Sequence, residues 1–349
     1  MHPLRAFVLL FALCSLAAAQ GSFTVGTATA APGQTATGFI DVPAKSDPGT
    51  RIPVAVVRGA KPGPVLALVS GAHGTEYTSI IALEKLIQQL DPAQISGAVI
   101  IVPLVNVASF EQKVPHVNPV DNKSMNRFYP GNENGTQTDR ALFAITRQVV
   151  ERADYLIDLH GGDLDESLRS YSYWAPIGNA AQDAKSKEMV LAFGLDHIII
   201  STDRPKDPNA SRFLETTASL RGKPSITVEA GYAGTVETDD LAALVNGCIN
   251  VMRYLKMMSG EVHPIENPVW LAKVVSVTSD QPGIFYPLVK RGTYVQQGMM
   301  IGYVTDYVGK TIFEARAGAS GVVLYICAVP TMKKGDTIAN IGVVADHAP

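Results

Sequence analysis

Cysteine is scarce, with three in 349 residues at positions 14, 248 and 327. That excludes a disulfide framework and leaves any bound metal to histidine and carboxylate ligands. An excess of charge of one sign is also missing. Twenty-nine Lys and Arg face 32 Asp and Glu, the net charge is −3, and no basic run occurs. Nothing therefore prepares a surface for nucleic acid or acidic lipid, and a small-molecule partner is expected. No apolar run long enough to span a membrane follows the first 19 residues. Charged residues make up only 17% of the chain and hydrophobic ones 46%, a balance that suits a globular protein with one large core or two moderate ones.

The one marked apolar run is at the start, "MHPLRAFVLLFALCSLAAAQGSF". Arg5, an apolar stretch and then Ala17, Ala18 and Ala19 give the layout of a secretory signal peptide over 1–19, with cleavage near Ala19 and Gln20 and export to the periplasm or beyond. Ala6 to Ala19 falls short of the roughly 20 residues of a membrane span. Leu13 before Cys14 argues against lipid attachment there, so no membrane association is expected after cleavage. Cys248 and Cys327 then remain, and both read as buried small apolar residues.

From "RIPVAVVRG" onward, short β-branched runs alternate with helical patterns. "PVLALVSG", "AVIIVPLVN", "DYLIDLHG", "HIIIST" and "PSITVEAG" read as strands. "TSIIALEKLIQQL" aligns Ile80, Leu83, Leu86, Ile87 and Leu90 on one helical stripe, and "DRALFAITRQVVERA" does the same with Leu142, Ile145 and Val149. The alternation predicts an α/β domain over about 20–259, a central sheet flanked by helices. After the linker "GEVHPIENP", residues 269–349 read as short strands broken by Gly turns, an all-β domain. Its spacing resembles the barrel-sandwich hybrids of lipoyl and biotinyl carriers, but the turn "TDYVGKT" is long for a carrier tip. Neither Lys310 nor Lys333 is a good acceptor, and a structural or rim-forming module is expected.

Ionisable residues follow the apolar runs at once: His73 and Glu76 after "PVLALVS", His160 after "DYLIDL", Glu229 after "PSITV". The crevice outside the carboxyl ends of strands is where open α/β sheets bind ligands. His73, Glu76 and His160 make up a His2Glu set, one of those that hold catalytic zinc with a position left for water. Asp158, two residues before His160, shares its face on a strand and is placed to bind the far ring nitrogen of a ligand histidine. Each residue has an ordinary alternative: a polar turn for His73 and Glu76, a strand-end contact for Asp158 or Glu229, a satisfied core histidine for His160. Their conjunction at three strand ends favours a metal, zinc first, with cobalt, nickel or manganese also compatible.

In order and spacing, "GAHGTEYTSIIAL", "NPVDNKSMNRFYPG", "DYLIDLHGG" and "SITVEAGYAG" resemble the succinylglutamate desuccinylase and aspartoacylase family, relatives of the zinc carboxypeptidases, over about residues 50–345. The resemblance implies that fold, a mixed central sheet, and one zinc ion held by His73, Glu76 and His160. Glu229 would be the carboxylate that takes a proton from water and returns it to the leaving amine. Asn126 and Arg127 would grip the substrate carboxylate, with Tyr232 lining the pocket. His116 stands where many bacterial members carry an Arg, and Ser124 where they carry Asp, so His116 or Arg127 would meet the oxyanion. The expected activity is hydrolysis of an N-acyl amino acid or similar small carboxylate-bearing amide. An exported carboxypeptidase acting on peptides or cell-wall peptides, and a non-catalytic binder using the same cleft, are the alternatives.

Overall fold

The computed structural model describes residues 21–349. The leader expected at 1–19, its cleavage site and Cys14 lie outside the described residues. Eight strands carry the α/β part of the sheet, in the spatial order Gln34–Val42, Thr50–Arg58, Ser96–Val102, Lys61–Ser70, Tyr155–His160, Ser225–Tyr232, Glu166–Trp174, His197–Ile200. From Ser96–Val102 to Ser225–Tyr232 neighbours run parallel, and antiparallel pairs flank them on both sides. This is a mixed sheet with a parallel centre.

Apolar side chains leave both faces of these central strands. Leu66 and Leu68 enter one core with Leu83, Leu86 and Val251, while Ala67 and Val69 enter the other with Leu142, Ile145 and Leu214. Period-two alternation with no polar face is what a sheet covered twice requires. Helices Tyr77–Gln89, Ala180–Phe193 and Thr238–Tyr254 cover the first face; Gln137–Gln148 and Leu214–Ser219 cover the second. Of the predicted stripes, Ile80, Leu83, Leu86, Leu90, Leu142, Ile145 and Val149 are buried and Ile87 is half-buried.

The β-rich tail continues this sheet. Val269–Thr278 pairs parallel with His197–Ile200, and Gly321–Cys327 pairs antiparallel with Glu166–Trp174 through Tyr325 and Leu168, so that the sheet reaches twelve strands. A second sheet of four strands, Thr311–Arg316, Met300–Thr305, Gly283–Pro287 and Thr331–Met332, closes over it. Phe285, Ile301 and Val304 pack there against Val323, Ile338 and Ile341. The tail thus has a core of its own and a shared ladder, which brings its residues next to the strands that end at the site. Cys248 and Cys327 are both buried and free. Among the described residues no helix is long and apolar enough to cross a membrane.

Candidate active site

Lys61–Ser70 ends in a tight loop before helix Tyr77–Gln89. Gly71 has φ +69°, and a Cβ on it would meet Leu104 Cα at 2.8 Å; one on Gly74 would meet Phe110 N at 2.4 Å. These glycines therefore let the loop lie against segment 103–110, which is the close approach that excludes larger residues. Glu76 stands at the helix N-cap without capping it. Its carboxylate is spent elsewhere: Oε1 lies 2.6 Å from His73 Nδ1, and Oε2 lies 3.0 Å from His160 Nδ1 and accepts from Gly161 N at 3.1 Å.

One donor atom from each of His73, Glu76 and His160 lies within 4.8 Å of the others, and Glu76 and His160 are buried. Two imidazole nitrogens and one carboxylate turned to a common point fit a divalent cation that takes nitrogen and oxygen ligands. The electrostatics fit as well. Burial opposes the charge of Glu76, but His160 and His73 more than offset it and hold the carboxyl well below its ordinary range. Burial likewise opposes a charged His160, and Glu76 and Asp158 raise it well above the usual imidazole value. A proton on His160 thus balances the carboxylates beside it, and a cation binding to such a set displaces it. On its far side His160 Nε2 sits 3.3 Å from Asp158 Oδ1, while the other Asp158 oxygen is buried without a partner.

Glu229 pairs in parallel register with His160, and Thr227 with Asp158, so Glu229 comes off the sheet beside the His2Glu group. Burial raises its pKa well above the carboxylate range; His160 opposes this and Glu76 and Glu166 add to it. Tyr171 lies opposite Glu229 on the antiparallel neighbour. Burial and then Glu76 push Glu166, absent from the sequence expectations, up to about 8.

The structure distributes the remaining expected residues unevenly. Asn126 lies with its Nδ2 3.2 Å from His160 Nε2, and its Oδ1 accepts from Leu214 N at 3.4 Å, so its amide lies against the site. Arg127 donates to Asn126 O at 2.6 Å and lies over the Phe213 ring at 5.1 Å. Desolvation, then Arg204 and Arg212, lowers its pKa. Those two arginines also stack about Phe213, at 4.2 and 5.8 Å. Arg204 faces Glu215 at 3.6 Å, whereas Arg127 and Arg212 have no carboxylate partner among the described residues. A surplus of guanidinium groups suits an anionic ligand group. The sequence reading missed Arg204 and Arg212, whose only signal was a long irregular stretch, 201–213, inside a compact α/β unit.

His116 has φ +62°. Its Nε2 is 3.0 Å from Asp165 Oδ1 and its Nδ1 3.2 Å from Asp163 Oδ2, so both ring nitrogens meet carboxylates. The hydrogen bond to Asp165 is the largest cause of its pKa rising to about 9. That pKa favours the cationic ring, but the ring ties loops together instead of offering the free donor expected for the oxyanion. Asp163, which also accepts from the Thr75 hydroxyl and His116 N, is the buried knot. Tyr232 is 38% exposed and lines a cavity of about 480 Å³ with Ser167, Glu237, Lys290 and Cys327 between the two sheets' margins.

Three comparisons bear on this geometry. The succinylglutamate desuccinylase/aspartoacylase catalytic domain family matches residues 62–255. The chain is 30% identical, over 319 residues covering 88% of it and 92% of the relative, to the N-alpha-acetyl-L-2,4-diaminobutyric acid deacetylase of Halomonas elongata. A crystal structure of a succinylglutamate desuccinylase from a Silicibacter species is similar at TM-score 0.79 and 25% identity, covering 89% of this chain and 95% of that one. The product-bound ectoine utilization protein EutE (DoeB) of Ruegeria pomeroyi shares the fold at TM-score 0.80 and 24% identity, over 88% of this chain and 95% of that one.

Proposed function

This chain belongs to the succinylglutamate desuccinylase/aspartoacylase family of amide-cleaving enzymes, and from that membership we propose that it is a zinc-dependent deacylase of small N-acyl amino acids. The observation that carries the reading is the convergence of His73, Glu76 and His160 within 4.8 Å, with Glu229 in register beside His160. A divalent cation held by those three would supply Lewis acidity toward the amide oxygen and the attacking water, and its charge would favour the ionised form of Glu229.

The chain's own residues do the rest. Glu229 takes the proton of the attacking water and returns it to the departing amine. Asp158 holds the His160 ring by its outer nitrogen. Arg127, with Arg204 and Arg212 about Phe213, receives the substrate carboxylate; a planar fork meets both oxygens at once. The relative that removes an acetyl group from a diamino acid favours a short acyl group here. The leader-like residues 1–19 extend the proposal to an exported enzyme, tested by the N-terminus of protein recovered outside the cytoplasm.

The test is metal analysis of purified protein with free-amine release from a panel of N-acyl amino acids and short peptides. Stoichiometric zinc, activity lost to chelator and restored by zinc, and preference for N-acyl amino acids are expected. Chelator-resistant turnover would overturn the metal assignment, and preference for peptides would turn the substrate assignment to the carboxypeptidase.

A further inference from the structure

We infer that Arg291, supplied by the β-rich tail, positions the strand end that carries Glu229. Its Nη1 donates to Leu168 O at 2.7 Å, to Gly231 O at 2.9 Å and to Asp240 Oδ2 at 2.9 Å. Leu168 and Gly231 face each other in the antiparallel pair, and the register between those strands slips between Glu229 and Gly231. A slip of this kind bends a strand and re-aims the side chains beside it. Arg291 therefore clamps both strands at the far side of the bulge whose near side is Glu229.

The clamp has a fixed base and a short reach to the ligands. Asp240 is buried in the first turn of helix Thr238–Tyr254, and its other oxygen accepts from Ser170 Oγ at 3.0 Å. Gly231, the clamped residue, lies directly on the backbone after His160: a Cβ on it would meet Gly162 N at 2.3 Å. The guanidinium also lies over the Tyr232 ring at 5.5 Å. One tail side chain thus links the base's strand, its antiparallel neighbour and a helix start, in contact with the segment that leaves His160. Arg291 touches no reacting group in this arrangement; it acts through the placement of Glu229. A shift of about 1 Å in such a group costs on the order of 100-fold in rate.

The inference rests on Glu229 as the base, so Glu229→Gln is measured alongside. Arg291→Ala is expected to lower kcat by about 10- to 100-fold with KM within about twofold and metal content unchanged, and added guanidinium to restore part of kcat. Asp240→Asn, which keeps Arg291 and removes its anionic anchor, is expected to lower kcat by about 3- to 10-fold with the same KM. The inference is overturned by a folded Arg291→Ala enzyme with wild-type kcat, by a loss lying wholly in KM, or by a loss that follows metal content. Should Arg291→Ala not fold, wild-type kcat in Asp240→Asn overturns it alone. If Glu229→Gln retains full kcat, the base assignment falls and this inference with it. If Glu229→Gln is inactive and both clamp variants turn over normally, only the clamp is wrong.

Discussion

Glu229→Gln replaces a carboxylate by an amide of the same shape, at a position paired with His160 across the parallel ladder. Its side chain makes no hydrogen bond or ion pair with the described residues, and its pKa is raised first by burial and then by Glu76, Glu166 and Asp158 against the pull of His160. The amide removes a carboxyl that its surroundings resist ionising, so folding should lose nothing. We expect stability unchanged or higher by up to about 1 kcal/mol, which is about 2–4 °C in Tm for a domain of this size. The chemistry responds in the opposite sense. A positioned base contributes about 10²- to 10⁴-fold, so kcat should fall by that factor, or about 2.7–5.4 kcal/mol of barrier, with KM and metal content held. Amine release, metal per chain and a thermal melt decide it. Turnover above about a tenth of wild type would refute the assignment, and loss of metal would make Glu229 a ligand instead.

Other perturbations separate the remaining roles. His160→Ala should purify folded but without metal or activity, and Asp158→Asn should weaken metal binding by about 10- to 100-fold; competition with a chelator measures both, and unchanged affinity in either counts against the ligand arrangement. Arg127→Ala should raise KM for N-acyl amino acids by about 10- to 100-fold, the worth of a charge-assisted hydrogen bond of about 1.5–3 kcal/mol, and should leave amides lacking a carboxylate unaffected. His116 has its pKa raised from 6.5 to about 9, chiefly by Asp165. A raised pKa means that its stabilising contribution is complete below pH 6.5 and is lost as pH rises through about 9. Urea midpoints of the wild type should therefore fall across that window relative to His116→Asn, by a modest amount because the ring is 45% exposed; parallel pH curves would contradict it.

The α/β order, the helical stripes and the strand-end placement of His73, Glu76, His160 and Glu229 were legible because each depends on a short stretch of chain. The continuation of the sheet into the tail was not. It depends on Val269 finding His197 and Tyr325 finding Leu168, pairings between distant segments that no local period records. Nor does the stretch "GAHGTE" record what its glycines lie against: Leu104 and Phe110 are what a side chain at Gly71 or Gly74 would strike.

A parallel ladder explains this division. Once Tyr155–His160 lies between Lys61–Ser70 and Ser225–Tyr232, residues that end or follow each strand are brought together by the ladder itself, and register alone puts Glu229 beside His160. Nothing comparable locates Arg204, Arg212 or Arg291. The first two come from an irregular stretch and meet only because Phe213 offers a ring between them and Arg127. Arg291 comes from a turn of the tail and arrives only because Gly321–Cys327 has joined the ladder at Glu166–Trp174. His116 shows the same limit in one residue. Its type made it a candidate donor, but whether its nitrogens faced a substrate or Asp163 and Asp165 was decided by a loop with φ +62° at that position. Groups set by strand ends can thus be read from the chain, while groups that bind, clamp or latch from loops require the fold to be complete first.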